Sequence, residues 1–277
     1  MFFLKFIDTK AHAESTLNGH FFLNTLGYFL ENGDEGQRDM FEGVFTTINV
    51  DNSHFPKELT KGLKYNPRFR AVGYKYCNVS CMSAVNCIPS LQGKAYFRWP
   101  GNMNAFGESV LVIQNPKALF TRAIEAANRE GYKIICGKVN YHDAHRGDFI
   151  QTQSAKLTWK ATEDRTFDTM IPEAEHFYDS FDKHRKYEYQ NEWRISLYRG
   201  EKTEDAYKNF YIGDLHDIAF IRPANEIASE AGRNMLLSMI NLEPDRKLDY
   251  MGNCGREKMR ELFFELGDRK STLFFGT

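Results

Sequence analysis

The sequence predicts an α+β fold with a mixed, mainly antiparallel β-sheet and flanking helices. Helical and strand patterns do not alternate regularly along the 277 residues, and several predicted strands follow one another without a crossover helix. Neither a G-x-G-x-x-G motif after a strand nor a G-x-x-x-x-G-K motif is present, which disfavours the doubly wound nucleotide-binding folds. We therefore expect a single domain over residues 1–277, with a helical C-terminal part from about residue 224.

The first part of the chain predicts a strand, a short helix and further β-rich segments. FFLKFI is a short apolar strand, and DTKAHAESTLNG is a helix with Thr9 as its N-cap and Gly19 as its stop. HFFLNTLGYFL is the next buried element, and MFEGVFTTINV is a strand rich in β-branched and aromatic residues. Residues 51–92 have a weak pattern and predict mainly loops.

The second part of the chain predicts four strands and three helices. The first of these strands is ESVLVIQNP. Pro116 begins a helix after this strand, and Gly131 closes it. YKIICGKVNYHD, EWRISLYRG and DIAFIRP are the other strands. NEIASEAGRNMLLSMINL is a helix with Asn225 as its N-cap, and GREKMRELFFELGD is a last amphipathic helix.

Composition excludes some classes of protein. With 36 basic and 37 acidic residues the net charge is −1, so no overall charge attracts the chain to nucleic acid or acidic lipid. The opening MFFLKFID is too short for a signal peptide or a membrane span. Five cysteines, an odd number, predict reduced thiols in the cytoplasm. Because the spacing of Cys77, Cys81 and Cys87 is not that of a zinc site, we expect no metal.

The stretch KYEYQNEWRISLY is the strongest candidate for a functional site. As one strand it places Glu188, Gln190 and Glu192 on the same face, because alternate residues of a strand share a face. One interpretation is a solvated sheet face with ordinary ion pairs between Glu192 and Arg194 or between Lys186 and Glu188. The other is a pair of acceptors in a cleft, where a carboxylate holds a ribose hydroxyl and stabilises a cation at the anomeric carbon.

Four segments, in this order, resemble a family of uncharacterised bacterial and phage domains related to the ADP-ribosyltransferase fold. The segments are FLKFIDTKAHAESTLNGHFFLNT, RDMFEG, GESVLVIQNPKALFTRA with the later GKVNYHD, and FDKHRKYEYQNEWRISLY. RDMFEG is similar to the family's Asn-Asp-Pro-Phe-Glu turn at Asp39, Phe41 and Glu42, and departs from it at Arg38 and Met40. The resemblance extends to about Pro223 and implies a split β-sheet.

The resemblance implies roles for seven residues. Glu192 would contact the nicotinamide ribose of NAD and stabilise the oxocarbenium-like state, and Gln190 would position the acceptor. Lys5 stands where the fold usually has an Arg or His against the NAD ribose. The remaining implied contacts to NAD are Phe6, Asn24, Tyr28, whose ring would stack on nicotinamide, and Ser83.

These implied roles predict an NAD-dependent ADP-ribosyltransferase that modifies RNA, DNA or protein. Such an enzyme would serve as a toxin, with an antitoxin as partner, or as a phage-defence effector. Gln190 replaces a glutamate that accompanies arginine modification, so the resemblance implies a different acceptor. NAD hydrolysis by the same site is one alternative, and a non-catalytic module that binds nucleic acid or protein is another.

The segment from Phe55 to Tyr76 predicts contacts to single-stranded nucleic acid. Aromatic and basic residues are interleaved in it, and basic side chains meet phosphates while aromatic rings stack on bases. The alternative is a solvated, loop-rich surface whose aromatic residues anchor the core. The candidate nucleic-acid-binding residues are Lys61, Lys64, Arg68, Arg70 and Lys75.

Overall fold

A computed structural model of the chain describes residues 1–31, 44–47, 68–70, 77–89, 95–97, 99, 101–142, 180–198, 207–240 and 251–252. Fifteen strands lie in these ranges. They are β1 (Phe2–Ile7), β2 (His20–Thr25), β3 (Val44–Thr47), β4 (Arg68–Arg70), β5 (Cys77–Val85), β6 (Ile88–Pro89), β7 (Ala95–Tyr96), β8 (Ser109–Ile113), β9 (Lys133–Lys138), β10 (Asn140–His142), β11 (Asp182–His184), β12 (Glu192–Tyr198), β13 (Tyr207–Tyr211), β14 (Ala219–Pro223) and β15 (Met251–Gly252).

Five α-helices and two 3-10 helices accompany the strands in the same ranges. The α-helices are α1 (Lys10–Leu17), α2 (Leu26–Glu31), α3 (Pro116–Glu130), α4 (Ala224–Ala228) and α5 (Glu230–Met239), and the 3-10 helices are Gly101–Phe106 and Arg185–Gln190. Nine strands form the main sheet, in the order β14-β8-β1-β5-β12-β9-β15, with β2 paired to β5 and β13 paired to β2. Every pairing described within this sheet is antiparallel, while β10 and β11 pair in parallel. The predicted α+β class with a mainly antiparallel sheet is confirmed.

Helices cover both faces of the sheet, as the side chains of β1 show. Alternate residues of a strand point to opposite faces. Phe3 is buried in the cluster that includes Phe120 of α3. Phe2 and Leu4 are buried in a second cluster that includes Ile227 of α4. The sheet therefore forms the middle layer of the described fold.

Two predicted helix starts agree with the structure. Thr9 Oγ1 accepts a hydrogen bond from the His12 amide at the start of α1. Asn115 Oδ1 accepts one from the Ala118 amide at the start of α3, and Pro116 is its first residue. Gly131 ends α3, as predicted, and the structure gives it the left-handed conformation.

The prediction of mainly loops over residues 51–92 misses Cys77–Val85, because this segment forms β5, the longest strand described and a central one. Its sequence, CNVSCMSAV, lacks the alternation of apolar and polar residues that marks a half-exposed strand. Both faces of β5 are covered, so small and polar residues such as Asn78 and Ser80 are buried alongside Val79.

The prediction of one strand from Lys186 to Tyr198 is also wrong at its start. Residues Arg185–Gln190 form a 3-10 helix, and β12 begins only at Glu192. Asn191 joins the two with a φ of 42°, in the left-handed region. Gln190 and Glu192 therefore do not share a strand face by alternation, and Glu188 is exposed on the helix.

The predicted helix after Pro223 is interrupted. The helix α4 begins at Ala224 without a side-chain cap, so Asn225 is not its N-cap. Ser229 breaks the helix and then caps α5, because its Oγ accepts a hydrogen bond from the Gly232 amide. The predicted last helix, GREKMRELFFELGD, lies outside the described residues. None of the helices that the structure describes is long and apolar enough to cross a membrane.

Gly19 fixes the position of β2 relative to the end of β13. Its φ is +96°, and a Cβ built there would lie 2.2 Å from the carbonyl oxygen of Gly213. The Ile212 amide donates to the Gly19 carbonyl oxygen over 2.9 Å, so the two backbones are held together at this point. A side chain at Gly19 would force them apart.

We expect Gly19→Ala to lower the free energy of unfolding by at least about 2 kcal/mol, from the left-handed backbone and from overpacking. Urea denaturation measures this change. Gly131→Ala is the matched control, because Gly131 also has a positive φ, +73°, but nothing lies within 4 Å of its built Cβ. Equal losses in the two variants would show that the close approach to Gly213 is unimportant.

Candidate active site

The main sheet divides at one edge of β5. The strand β12 pairs with one edge from Cys77 to Ser83. On the other edge, β1 pairs with residues Ser83–Val85, while β2 pairs with Asn78 and Val79. Two strands thus share one edge, and they separate around residues 80–82. We call this separation the sheet fork.

A cavity of about 950 Å³ lies at the sheet fork. Its wall is formed by β1, β2, β5 and the start of β12, together with residues of α1, α2, β11 and β13. All seven residues that the sequence singled out as catalytic or NAD-binding line this one cavity: Lys5, Phe6, Asn24, Tyr28, Ser83, Gln190 and Glu192. Residues more than 180 positions apart in sequence thus meet at one place.

Gln190 and Glu192 are joined by Lys183, which projects from β11. The Lys183 Nζ donates to Gln190 Oε1 and to Glu192 Oε2, each over 2.8 Å. Because a lysine can only donate, this contact directs the oxygen of the Gln190 amide toward Lys183. The amide nitrogen then donates to the Tyr189 hydroxyl over 3.3 Å.

Arg194 holds the other oxygen of the Glu192 carboxylate. Its Nε donates to Glu192 Oε1 over 2.6 Å, and its guanidinium also donates to the Ser180 carbonyl oxygen. Lys183, Gln190, Glu192 and Arg194 are each at most 6% exposed, so the cluster is buried although it lines the cavity. We refer to these four residues as the Glu192 cluster. The interpretation of Glu192 and Arg194 as a solvated surface pair is therefore wrong.

The backbone fixes Glu192 at the end of β12. The Glu192 amide donates to the Tyr141 hydroxyl over 2.8 Å, and its carbonyl oxygen accepts from the Val139 amide over 2.9 Å. The preceding residue, Asn191, exchanges two hydrogen bonds with the backbone of Ala84 on β5. The backbone at Glu192 is thus anchored on both sides. Such anchoring keeps a side chain in one orientation, which positioning of a reacting group requires.

The Glu192 carboxylate is ionised at neutral pH. Burial alone would raise the pKa of Glu192, but the positive charges of Arg194 and Lys183 outweigh it and hold the pKa well below its ordinary value. Each carboxylate oxygen accepts one hydrogen bond from a cation and has a second lone pair for another donor. The geometry therefore keeps a fixed negative charge with remaining acceptor capacity.

Cys81 lies beside this carboxylate on the neighbouring strand. Burial, and then the charge of Glu192, raise the pKa of Cys81 to about 12, so the thiol is protonated near neutral pH. The neighbouring thiol also helps to keep the pKa of Glu192 low. Cys81 is for this reason a protonated neighbour of the carboxylate and not a nucleophile.

Lys5 reaches into the sheet fork from β1. Its Nζ donates to Ser80 Oγ over 2.7 Å and lies 5.7 Å from the centre of the Phe21 ring. Burial lowers the pKa of Lys5, and the charge of Glu192 offsets only part of this effect. Lys5 and Glu192 line the same cavity from two strands that flank β5.

Ser83 and Asn24 occupy opposite ends of the sheet fork on the strands that form it. Ser83 stands directly across from Glu192 in the register between β5 and β12, and is buried. Asn24 on β2 pairs with Val79 of β5, and the Asn24 Oδ1 accepts a hydrogen bond from the Thr25 amide. Tyr28 on α2 is about one third exposed at the cavity.

The structure describes no side chain of the five residues predicted to bind nucleic acid. Lys61, Lys64 and Lys75 lie outside the described residues. Arg68 and Arg70 are the two ends of β4, which pairs with β3 in a separate two-stranded sheet, and only their backbone is described.

Sequence reasoning missed Lys183 and the buried position of Arg194. Both lie close to Glu192 in sequence, nine and two residues away. The signal for Lys183 was present, because FDKHRK precedes the glutamate strand in the segment that carries the family resemblance. Among the described residues, no group of three or more His, Cys, Asp or Glu side chains is arranged to hold a metal ion.

Comparisons of the chain with protein-family models, with curated proteins and with solved structures find no match.

Proposed function

We propose that the chain is an NAD-dependent ADP-ribosyltransferase that modifies a macromolecule. The observation that carries the proposal is the cavity at the sheet fork, which brings together all seven residues implied by the family resemblance. A cavity of about 950 Å³ is large enough for a dinucleotide-sized ligand. The split in the sheet is also what the resemblance to the ADP-ribosyltransferase fold implies.

The chemistry requires a fixed negative charge where positive charge develops. When the bond between the ribose anomeric carbon and the nicotinamide nitrogen breaks, its electron pair leaves with nicotinamide and the sugar becomes oxocarbenium-like. The Glu192 carboxylate, held ionised and oriented, stabilises that cation and accepts a hydrogen bond from a ribose hydroxyl. The acceptor atom then bonds to the anomeric carbon and releases its proton to solvent.

Gln190 is proposed to position the acceptor. Its amide is oriented by Lys183 and carries no charge at neutral pH, so it can hold a neutral group by hydrogen bonds. A guanidinium would gain more from a carboxylate at this position. The proposal is therefore an amide, base-nitrogen or hydroxyl acceptor on RNA, DNA or protein, as expected of a toxin or phage-defence effector.

Labelled NAD tests the proposal directly. We expect purified protein mixed with NAD labelled in the adenylate half and a cell lysate to release nicotinamide and to transfer label to macromolecules. Digestion of the lysate with nuclease or protease before the reaction identifies the acceptor class. Glu188→Gln is the matched control for Glu192 variants, because Glu188 is exposed on the neighbouring 3-10 helix.

Two other results would replace the proposal. Free labelled ADP-ribose without labelled macromolecule would show an NAD hydrolase that uses the same site. No nicotinamide release, together with unchanged thermal stability at millimolar NAD, would show a non-catalytic module, because a ligand far above its dissociation constant stabilises the fold that binds it.

A further inference from the structure

Two exposed aromatic rings stack at the rim of the cavity. Phe22 on β2 and Tyr207 on β13 have ring centroids 5.1 Å apart and planes 27° from parallel. Their side chains are 51% and 56% exposed, so they contribute little to the core. A scattered exposed ring needs no explanation, but a stacked pair beside a cavity offers a flat apolar surface to a ligand.

The stacked rings stand among amide side chains. In the register of the β2–β13 ribbon, Asn209 lies directly opposite Phe22, and Asn24 lies directly opposite Tyr207. The outward face of the ribbon carries no carboxylate among its six described side chains, which are His20, Phe22, Asn24, Tyr207, Asn209 and Tyr211. Amides exchange hydrogen bonds with the edges of nucleobases while aromatic rings stack on their faces.

The ring pair is continuous with the Glu192 cluster. Phe22, Asn24, Tyr207 and Asn209 line the same cavity as Glu192. A single ligand can therefore contact the carboxylate with one end and the stacked rings with the other. NAD has this form, with a ribosyl-nicotinamide at one end and a flat adenine at the other.

We propose that Phe22 and Tyr207 form the adenine subsite of the cavity, where the adenine of the dinucleotide stacks on their rings. The identification of the ligand rests on the proposed function, but the stacking site is defined by the rings themselves. Asn24 and Asn209 then hydrogen-bond the edge of the base. This subsite gives Asn24 a contact to the adenine end of the ligand.

Direct binding tests the subsite without any turnover. AMP, ADP-ribose and nicotinamide mononucleotide are titrated by calorimetry into wild type, Phe22→Leu, Tyr207→Leu and the double variant. Leucine keeps an apolar side chain and removes the aromatic face, so the ribbon is expected to fold. We expect AMP and ADP-ribose to bind on the order of ten-fold more weakly to each single variant. Nicotinamide mononucleotide, which lacks adenine, should bind all four proteins equally.

Tyr211→Leu is the matched control. Tyr211 is 51% exposed on the same face of the ribbon, against the His20 ring, but it does not line the cavity. Its replacement should leave the affinity for AMP unchanged. A melting temperature close to that of wild type confirms that each variant folds.

Several results would overturn the subsite. They are the absence of AMP binding to wild type, and unchanged ADP-ribose affinity in the double variant. Tighter binding of an oligodeoxyadenylate than of ADP-ribose, lost in the same variants, would replace the dinucleotide with a nucleic acid as the ligand.

The two proposals fail separately. AMP binding that depends on the rings, without any NAD cleavage, contradicts only the proposed function. NAD cleavage with unaltered AMP binding in the variants contradicts only the subsite.

Discussion

Glu192→Gln is expected to slow nicotinamide release from NAD by at least about 100-fold. Removing a preorganised group that stabilises transition-state charge costs an enzyme about 10²–10³ in rate. Glutamine has nearly the shape of glutamate and keeps one acceptor oxygen, so the variant removes mainly the negative charge. Nicotinamide release by wild type, Glu192→Gln and Glu188→Gln is followed by chromatography. Wild-type rates in Glu192→Gln would remove Glu192 from the mechanism.

The same substitution is expected to destabilise the fold. Without the carboxylate, Lys183 and Arg194 lose the anion that both contact, inside a buried cluster. Breaking a buried ion pair on one side costs about 3–5 kcal/mol of unfolding free energy. Denaturant titration measures the loss, and a variant as stable as wild type would contradict the ionised, buried state of Glu192.

A double variant separates the catalytic loss from the loss of stability. In Glu192→Gln/Lys183→Met one of the two cations is removed together with the carboxylate, so less charge is left uncompensated. We expect this protein to be more stable than Glu192→Gln and to remain inactive. Such non-additivity is the signature of residues that interact directly. Activity that returned together with stability would mean that Glu192 acts only through folding.

Lys183→Met is expected to change how stability depends on pH. Lys183 lowers the pKa of Glu192, and without it Arg194 is the remaining cation in direct contact with the carboxylate. The folded-state pKa of Glu192 should therefore rise toward its ordinary value of 4.5. Loss of this one ion pair should also cost about 3 kcal/mol at neutral pH, the lower end of the range for a buried pair.

The direction of the pH effect follows from proton linkage. Glu192 has a lower pKa in the folded protein than in the unfolded chain, so its ionisation stabilises the fold above pH 4.5. That stabilisation is lost as the pH falls from 4.5 toward the folded-state pKa. In Lys183→Met the two pKa values are closer, so less stability remains to be lost over this window.

Urea denaturation between pH 7 and pH 3 measures this difference in wild type and Lys183→Met. The variant should begin less stable and lose less on acidification. Lys186→Met is the control, because Lys186 is exposed on the 3-10 helix next to the same cluster. A variant that loses as much stability on acidification as wild type would show that Lys183 does not hold Glu192 ionised.

The sequence predicted those parts of the fold where a local signal decides the structure. Thr9 and Asn115 carry capping side chains, and Gly131 supplies the left-handed residue that ends α3. The strand β8 has five consecutive buried residues, SVLVI, of which the last four form a clear apolar run shortly before a proline. These features depend on neighbours within a few residues.

The parts that could not be predicted depend on contacts between distant residues. The strand β5 is covered on both sides and contains buried Asn78, Ser80 and Ser83, so its pattern is that of a loop. The order of β1, β5 and β12 in the sheet cannot be obtained from periodicity. Their shared cavity is lined by the residues that the family resemblance selected, and two of these, Gln190 and Glu192, meet through Lys183 and not through strand alternation.

The sheet fork gives any ligand of the cavity a second role. β1 and β2 separate along one edge of β5, and a molecule bound in the cavity would contact all three strands. Ligand binding and cohesion of the sheet are therefore linked by mass action. A ligand at 100 times its dissociation constant adds about 2.7 kcal/mol to the stability of the protein that binds it. Because β5 lies at the centre of the sheet, occupancy of the cavity would be coupled to the stability of the whole sheet.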